Sequence, residues 1–233
     1  FVEENYGGQN ISMAVNRKPG EKMYIDWVGD QPELLTDIET GEIKKVHIFA
    51  TTLGVSSLIY AEAFPNEKLP CFIEGCSHAV SSYGAVAKYF VPDNLKTAVT
   101  KHTKDELILQ STFSDLEDFY DTIVLPPPAR KPKGKSTVEN HVKFLETHLV
   151  EKLKENIYTS FEDLNAGIKK IVAALNSRKF QNKSFSRKDA FEKYDKPCMK
   201  PLPGGSYMIC DYKAVLKVPN NCLLYTSPSP RDA

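Results

Sequence analysis

The sequence predicts an α/β fold: a mixed five-stranded sheet with helices on both faces, followed by a helical extension and the start of a small β domain. Two observations carry this. The periodicities along the chain run three strands, helix, strand, helix, strand, helix, an order that calls for one sheet covered on two sides. Two acidic residues, Asp26 and Asp93, lie inside or at the end of apolar strand runs, and a third, Glu139, opens a long amphipathic helix. A charge in such a place is costly unless it is paired or binds a metal.

The elements follow in order. Residues 1–20 are polar, contain Gly7-Gly8 and Lys18-Pro19-Gly20, and read as a linker. Residues 22–28 read as a strand. A turn at Asp37-Ile38-Glu39-Thr40-Gly41 precedes two runs rich in β-branched and aromatic residues, Ile43 to Leu53 and Ser57 to Phe64, parted by Gly54. These three strands are expected to form an antiparallel meander. Pro65 or Asn66 starts a helix with Leu69, Phe72, Ile73, Cys76 and Val80 at helical spacing, closed by Gly84. Strand four is expected from about Val86 to Val91. A polar helix spans Lys104 to Tyr120, with a break expected near Ser111–Ser114. Ile123-Val124-Leu125 forms a short fifth strand, ended by Pro126-Pro127-Pro128.

The loop 126–134 carries four prolines and three basic residues. A helix from Lys135 to about Glu155 then places Val138, Val142, Leu145, Leu149 and Leu153 on one stripe. Ser160 reads as the N-cap of a further helix that buries Leu164, Ile168, Ile171, Val172 and Leu175, with Glu162 and Asp163 favourable in its first turn. Lys196-Pro197 to Gly205 reads as a linker, and Ser206 to Val218 as two strands of a small β domain.

At 233 residues, 41% hydrophobic and 26% charged, the chain has the size and composition of a globular protein with one good core. It has no apolar run of 18 or more residues, the length a membrane-spanning helix needs. The beginning, Phe1-Val2-Glu3-Glu4-Asn5, reads as a cut within a longer chain. Residues 222–233 resemble the translation of a sequencing-library adapter and are set aside from fold reasoning. Cys71, Cys76 and His78 have offsets that converge poorly on a metal, so buried free thiols are expected. The zero net charge hides an asymmetry. Residues 1–128 hold 10 Lys/Arg and 19 Asp/Glu, net −9; residues 129–200 hold 17 and 9, net +8. A basic half beside an acidic one is suited to a phosphate backbone, although two helices with solvated basic faces would give the same count.

The element order matches the RNase H-like architecture. In that topology the first strand is central and the fourth lies beside it, so Asp26 and Asp93 are expected to face one another while Glu139 arrives from a helix packed across the sheet. Three carboxylates so placed could hold two divalent cations about 3.5–4 Å apart for in-line attack on phosphate. Rival acids read differently: Asp30 as a turn residue; Asp115, Glu117 and Asp118 as a solvated helix face; Glu146 and Glu151 as lying too deep in Glu139's helix. Trp27 and Tyr24 read as core rather than as base-stacking groups.

Several segments support a family resemblance: Lys18-Pro19-Gly20-Glu21 leading into Ile25-Asp26-Trp27; Val91-Pro92-Asp93-Asn94-Leu95-Lys96-Thr97-Ala98-Val99; Pro127-Pro128-Ala129-Arg130-Lys131-Pro132-Lys133-Gly134-Lys135 leading into Val138-Glu139; Leu164-Asn165; Leu175-Asn176-Ser177-Arg178; Phe191-Glu192; and Lys200-Pro201-Leu202-Pro203. In these, residues 18–219 resemble the IstA-type transposases of bacterial insertion sequences, whose wider superfamily includes the retroviral integrases. The 45 residues between Asp93 and Glu139 are similar to that family's spacing.

The resemblance implies a DDE integrase-type catalytic core over residues 21–156. Asp26, Asp93 and Glu139 would be its catalytic residues and metal ligands, binding two Mg²⁺ ions with Mn²⁺ as a substitute. Asn94 and Lys96 would lie near the active site, and Arg130, Lys131, Lys133 and Lys135 would contact DNA phosphates. The implied activity is 3′-end cleavage and strand transfer by a bacterial cytoplasmic enzyme that acts as a homo-multimer on DNA with an AAA+ ATPase helper. Residues 1–20 would link to a missing N-terminal DNA-binding region, 157–200 would be a helical extension, and 201–221 a truncated C-terminal β domain. Two alternatives share the fold: a non-catalytic DNA-binding or assembly module, and a nuclease that only hydrolyses nucleic acid.

Overall fold

The computed structural model describes residues 17–29, 31–93, 103–125, 146–181, 183–205 and 207; for 103–111 and 146 it describes the backbone alone. The described residues form seven strands: β1 (Lys22–Trp27), β2 (Glu33–Thr36), β3 (Ile43–Lys45), β4 (His47–Leu53), β5 (Ile59–Phe64), β6 (Tyr89–Pro92) and β7 (Ile123–Val124). Five of them make one sheet in the order β5-β4-β1-β6-β7. The β5–β4 and β4–β1 pairs are antiparallel, while β1–β6 and β6–β7 are parallel. The expected meander and central first strand are both present.

Alternation along β1 and β4 sends side chains to two apolar layers. Met23, Ile25, Phe49 and Leu53 point to one, packed under α1 (Leu69–Tyr83) and α2 (Thr103–Tyr120) through Ile73, Val80, Leu116 and Tyr120. Val28, Ile48 and Ala50 point to the other. There Leu149 and Leu153, from a short π-helix Glu146–Val150 running into α3 (Glu151–Leu153), join Leu164, Ile168 and Val172 of α4 (Phe161–Ser177). Phe49 is fully buried and meets Trp27, Phe64 and Phe72 edge-to-face at 5.4–6.2 Å between ring centroids. Helix α1 approaches this cluster through Gly75, where a Cβ would stand 2.8 Å from the Phe49 ring.

Helix α4 begins at Ser160, whose hydroxyl accepts from the Asp163 amide at 3.1 Å. It also closes the sheet's open edge. Asn165 accepts from Ala63 N (2.7 Å) and donates to Ala63 O (3.2 Å). Asn176 does the same at Ile59, at 3.0 and 2.8 Å. Two side-chain amides thus stand in for a neighbouring strand and occupy backbone groups that would otherwise template aggregation.

Four details differ from the sequence expectation. The run Ile43 to Leu53 divides at buried Val46: its first part pairs with β2 in a separate hairpin, and only His47–Leu53 joins the main sheet. Helix α2 runs unbroken through Ser111–Ser114, because Phe113, Leu116 and Tyr120 pack into the core and tertiary contacts override weak propensity. Strand β6 starts at Tyr89 rather than Val86, whose backbone instead exchanges two hydrogen bonds with Lys200 (2.8 and 2.9 Å). Residues 196–200 are also no loose connection. Helix α5 (Arg187–Ala190) runs into a short π-helix Phe191–Asp195, at whose end the buried Asp195 carboxylate accepts from Gly20 N and Ser56 N, both at 2.8 Å. Gly20 takes φ +66°, and a Cβ there would stand 2.7 Å from the Cys198 carbonyl carbon.

Candidate active site

Asp26 sits near the C-terminal end of β1 and Asp93 immediately after β6. The parallel register pairs Lys22 with Tyr89, Met23 with Phe90, Tyr24 with Val91 and Ile25 with Pro92. The Asp93 amide then donates to Ile25 O at 3.0 Å. The next rung therefore sets Asp26 beside Asp93, on adjacent strands about 4.8 Å apart. Strand alternation puts both on the face shared by Tyr24 and Ala50, opposite Met23, Ile25 and Phe90. Both carboxylates are half-buried. Asp26 Oδ1 accepts from the Trp27 amide at 2.9 Å, which fixes the rotation of that carboxylate.

This face is also the one on which Leu149 and Leu153 pack. Glu139 lies ten residues before Leu149, outside the described residues, as do Asn94, Lys96, Arg130, Lys131, Lys133 and Lys135. Of the residues singled out from the sequence, the structure brings together Asp26 and Asp93. Among the described residues, no group of three His, Cys, Asp or Glu side chains is placed to hold a metal.

The rival acids have other work or lie outside the description. Glu117 Oε1 accepts from Val124 N at 2.6 Å and so ties β7 to α2. Glu151 is exposed, and Asp30 lies outside the described residues. Trp27 is half-buried and packs against the core, edge-to-face with Phe49, Phe64 and His47. His78 pairs with Glu62 at 2.9 Å, and the Cys76 thiol is fully buried, its pKa pushed up by burial; among the described residues neither belongs to a group placed to hold a metal.

No family model matches the sequence. Curated relatives do. A protein of Sinorhizobium fredii named as a transposase is 34% identical over 208 residues, covering 88% of this chain and 40% of that protein. One from Pseudomonas fluorescens, named for insertion sequence IS1162, is 32% identical, covering 87% and 36%. The transposase for insertion sequence element IS21 of Pseudomonas aeruginosa is 24% identical, covering 70% and 40%. The chain thus spans about two fifths of the length of these relatives. Among solved structures, the catalytic core domain of BIV integrase aligns with a TM-score of 0.51 at 11% identity, over 75% of this chain and 95% of that one. A chain of the simian T-cell lymphotropic virus intasome, solved with a PP2A regulatory subunit, aligns with a TM-score of 0.56 at 12% identity, over 85% and 63%. The sheet order, the two helical layers and these likenesses agree: over the segment it represents, the chain belongs to the insertion-sequence transposases and has the fold of an integrase catalytic core.

Proposed function

We propose that this chain is the catalytic core of a DDE transposase that cleaves the 3′ ends of an insertion sequence and joins them to target DNA. Asp26, Asp93 and Glu139 are its catalytic carboxylates. The observation that carries this reading is the β1–β6 register, which sets two half-buried carboxylates on one rung of neighbouring strands, at the C-terminal ends of a parallel pair. Two like charges so close repel, and a bound cation removes that cost.

The donor set fits a hard divalent ion, because carboxylate oxygens are what Mg²⁺ and Mn²⁺ prefer. Asp26 and Asp93 would hold it between β1 and β6, and Glu139 would complete a site for two ions. When bound, such ions activate the attacking oxygen and stabilise the leaving one. The chain's own part is positioning. The Trp27 amide holds one oxygen of Asp26, and the Asp93–Ile25 backbone bond fixes how far β6 extends beside β1. Asn94 and Lys96 bind DNA near the active site, and Arg130, Lys131, Lys133 and Lys135 contact DNA phosphates. The whole enzyme works as a homo-multimer on paired ends, with an AAA+ ATPase helper, in the bacterial cytoplasm.

The test is strand joining by the full-length protein on oligonucleotides carrying the element's terminal repeat, with Mg²⁺ or Mn²⁺. Asp93→Asn is expected to abolish joining while DNA binding persists. Undiminished joining by that variant would overturn the assignment.

A further inference from the structure

Past the C-terminus of α4, five cations fall within eleven residues: Arg178, Lys179, Lys183, Arg187 and Lys188. The segment folds back on itself. Lys179 bridges to Ser186, Phe180 N donates to Phe185 O at 3.1 Å, and Lys183 N donates to Phe180 O at 3.2 Å. The Phe180 and Phe185 rings lie 5.8 Å apart at a steep angle. Lys183 Nζ stands 5.4 and 5.3 Å from their centroids, and the Arg187 guanidinium 5.0 Å from Phe180. Arg187 also donates to Leu175 O at 3.2 Å, pinning the hairpin to the end of α4. Its charges are therefore presented on a held frame, which reduces the ordering cost of a contact.

Among the described residues, one acid beside the hairpin, Asp189, offsets part of this charge. That acid caps α5 through Ser186 N and Oγ, both at 2.8 Å; those bonds first, and then the Lys179 and Lys188 charges, hold its carboxyl below the usual range, which leaves one carboxylate against five cations. Among the described residues no ion pair takes up Arg178, Lys179, Lys183 or Lys188, and Arg178, Lys179 and Lys188 are exposed. Burial, and then the neighbouring Arg178, push the Arg187 pKa down, so like charge is being crowded here. A protein partner would need apolar anchors at the centre of its footprint. The two rings of this hairpin are instead half-buried under its own cations. What remains on offer is positive charge, the complement of a repeating phosphate backbone.

The hairpin's place follows from the sheet. Asn176 binds Ile59, which is level with Thr52 and Tyr24, whereas Asn165 binds Ala63, level with Ile48. The C-terminal end of α4 therefore points toward the start of β1, away from Asp26. We infer that the 178–188 hairpin is a duplex-DNA backbone contact, set at the end of the sheet opposite Asp26 and Asp93. It grips DNA flanking the reacting phosphate and takes no part in the chemistry. This rests on the transposase reading.

The test measures binding of the full-length protein to a fluorescent duplex of arbitrary sequence across a salt series. The combined variant Arg178→Ala, Lys179→Ala, Lys188→Ala should flatten the log–log salt slope by about 2–3 and weaken binding roughly a hundredfold at moderate salt. Joining at saturating protein should persist. The charge-keeping pair Lys179→Arg and Lys188→Arg should bind as the parent does. A triple variant with the parent's slope and affinity would overturn the inference alone, as would loss of binding in the charge-keeping pair. Failure of the parent to bind any duplex would instead remove the transposase reading, and this inference with it.

Discussion

Two kinds of buried or half-buried carboxylate occupy this molecule, and the contrast separates architecture from chemistry. Asp195 is 1% exposed, and each of its oxygens accepts a backbone N–H at 2.8 Å, from Gly20 and Ser56. The fold itself supplies the compensation for its charge. The carboxylate acts as a staple joining the entry to β1, the β4–β5 turn and the segment after α5. Asp26 and Asp93 share a face on one rung across β1 and β6, two like charges side by side at strand ends. Their arrangement suits a cation held between them. Under the proposed function, what compensates the charge, rather than burial, separates a catalytic carboxylate from a structural one.

Exchanging Asp for Asn at both places would sharpen or break that contrast. At Asp93 the largest effect falls on activity: strand joining should drop by at least about a thousandfold, because several kcal/mol of transition-state stabilisation go with the metal. The melting temperature should hold or rise, since a like-charge repulsion is relieved. At Asp195 the same exchange turns an amide donor toward backbone donors and costs about 2–4 kcal/mol. That should lower the melting temperature by roughly 5–10 °C, with joining per folded molecule retained. Equal thermal loss at both positions would erase the distinction.

A smaller effect is expected on the edge of the sheet. Asn165→Ala or Asn176→Ala leaves the amide and carbonyl of Ala63 or Ile59 without their side-chain partner, at about 1–2 kcal/mol each by chemical denaturation. Increased aggregation with little loss of stability would show that the amides protect the edge more than they hold α4.

The smallest effect lies in the β2–β3 hairpin. Its half-buried Asp37 carboxyl is lowered to about 2 by the Lys44 ammonium bonded to it at 2.6 Å and by the Glu39 and Thr40 amides. Because the folded value lies below the unfolded one, the contribution is complete above about pH 4 and fades as pH falls toward 2. Asp37→Asn should slightly flatten acid-range stability, and an unchanged acid limb would remove this pair from the ledger of contributions.

The strands and helices were largely legible in the sequence because their periodicities are strong: Met23, Ile25 and Trp27 alternate on β1, and α4 carries Leu164, Ile168, Val172 and Leu175 on one stripe. Asp26 and Asp93 stood out because each interrupts an apolar run. The β2–β3 hairpin was not legible, since Glu33–Thr36 is four residues long and β3 runs almost directly into β4. Nor was the Asp195 staple, whose donors lie 139 and 175 residues away in the chain, where no local pattern reaches. The edge-locking role of Asn165 and Asn176 was hidden for the same reason. Both residues drew notice only as parts of motifs, and their partners on β5 are more than a hundred residues distant.

The most direct measurement is anomalous diffraction from crystals of the full-length protein grown with Mn²⁺ and DNA. A Mn²⁺ peak between β1 and β6, about 2.0–2.3 Å from a carboxylate oxygen of both Asp26 and Asp93, is the expected result. Mn²⁺ bound elsewhere, with Asp26 and Asp93 unliganded in the DNA complex, would contradict the assignment of this pair as the catalytic metal site.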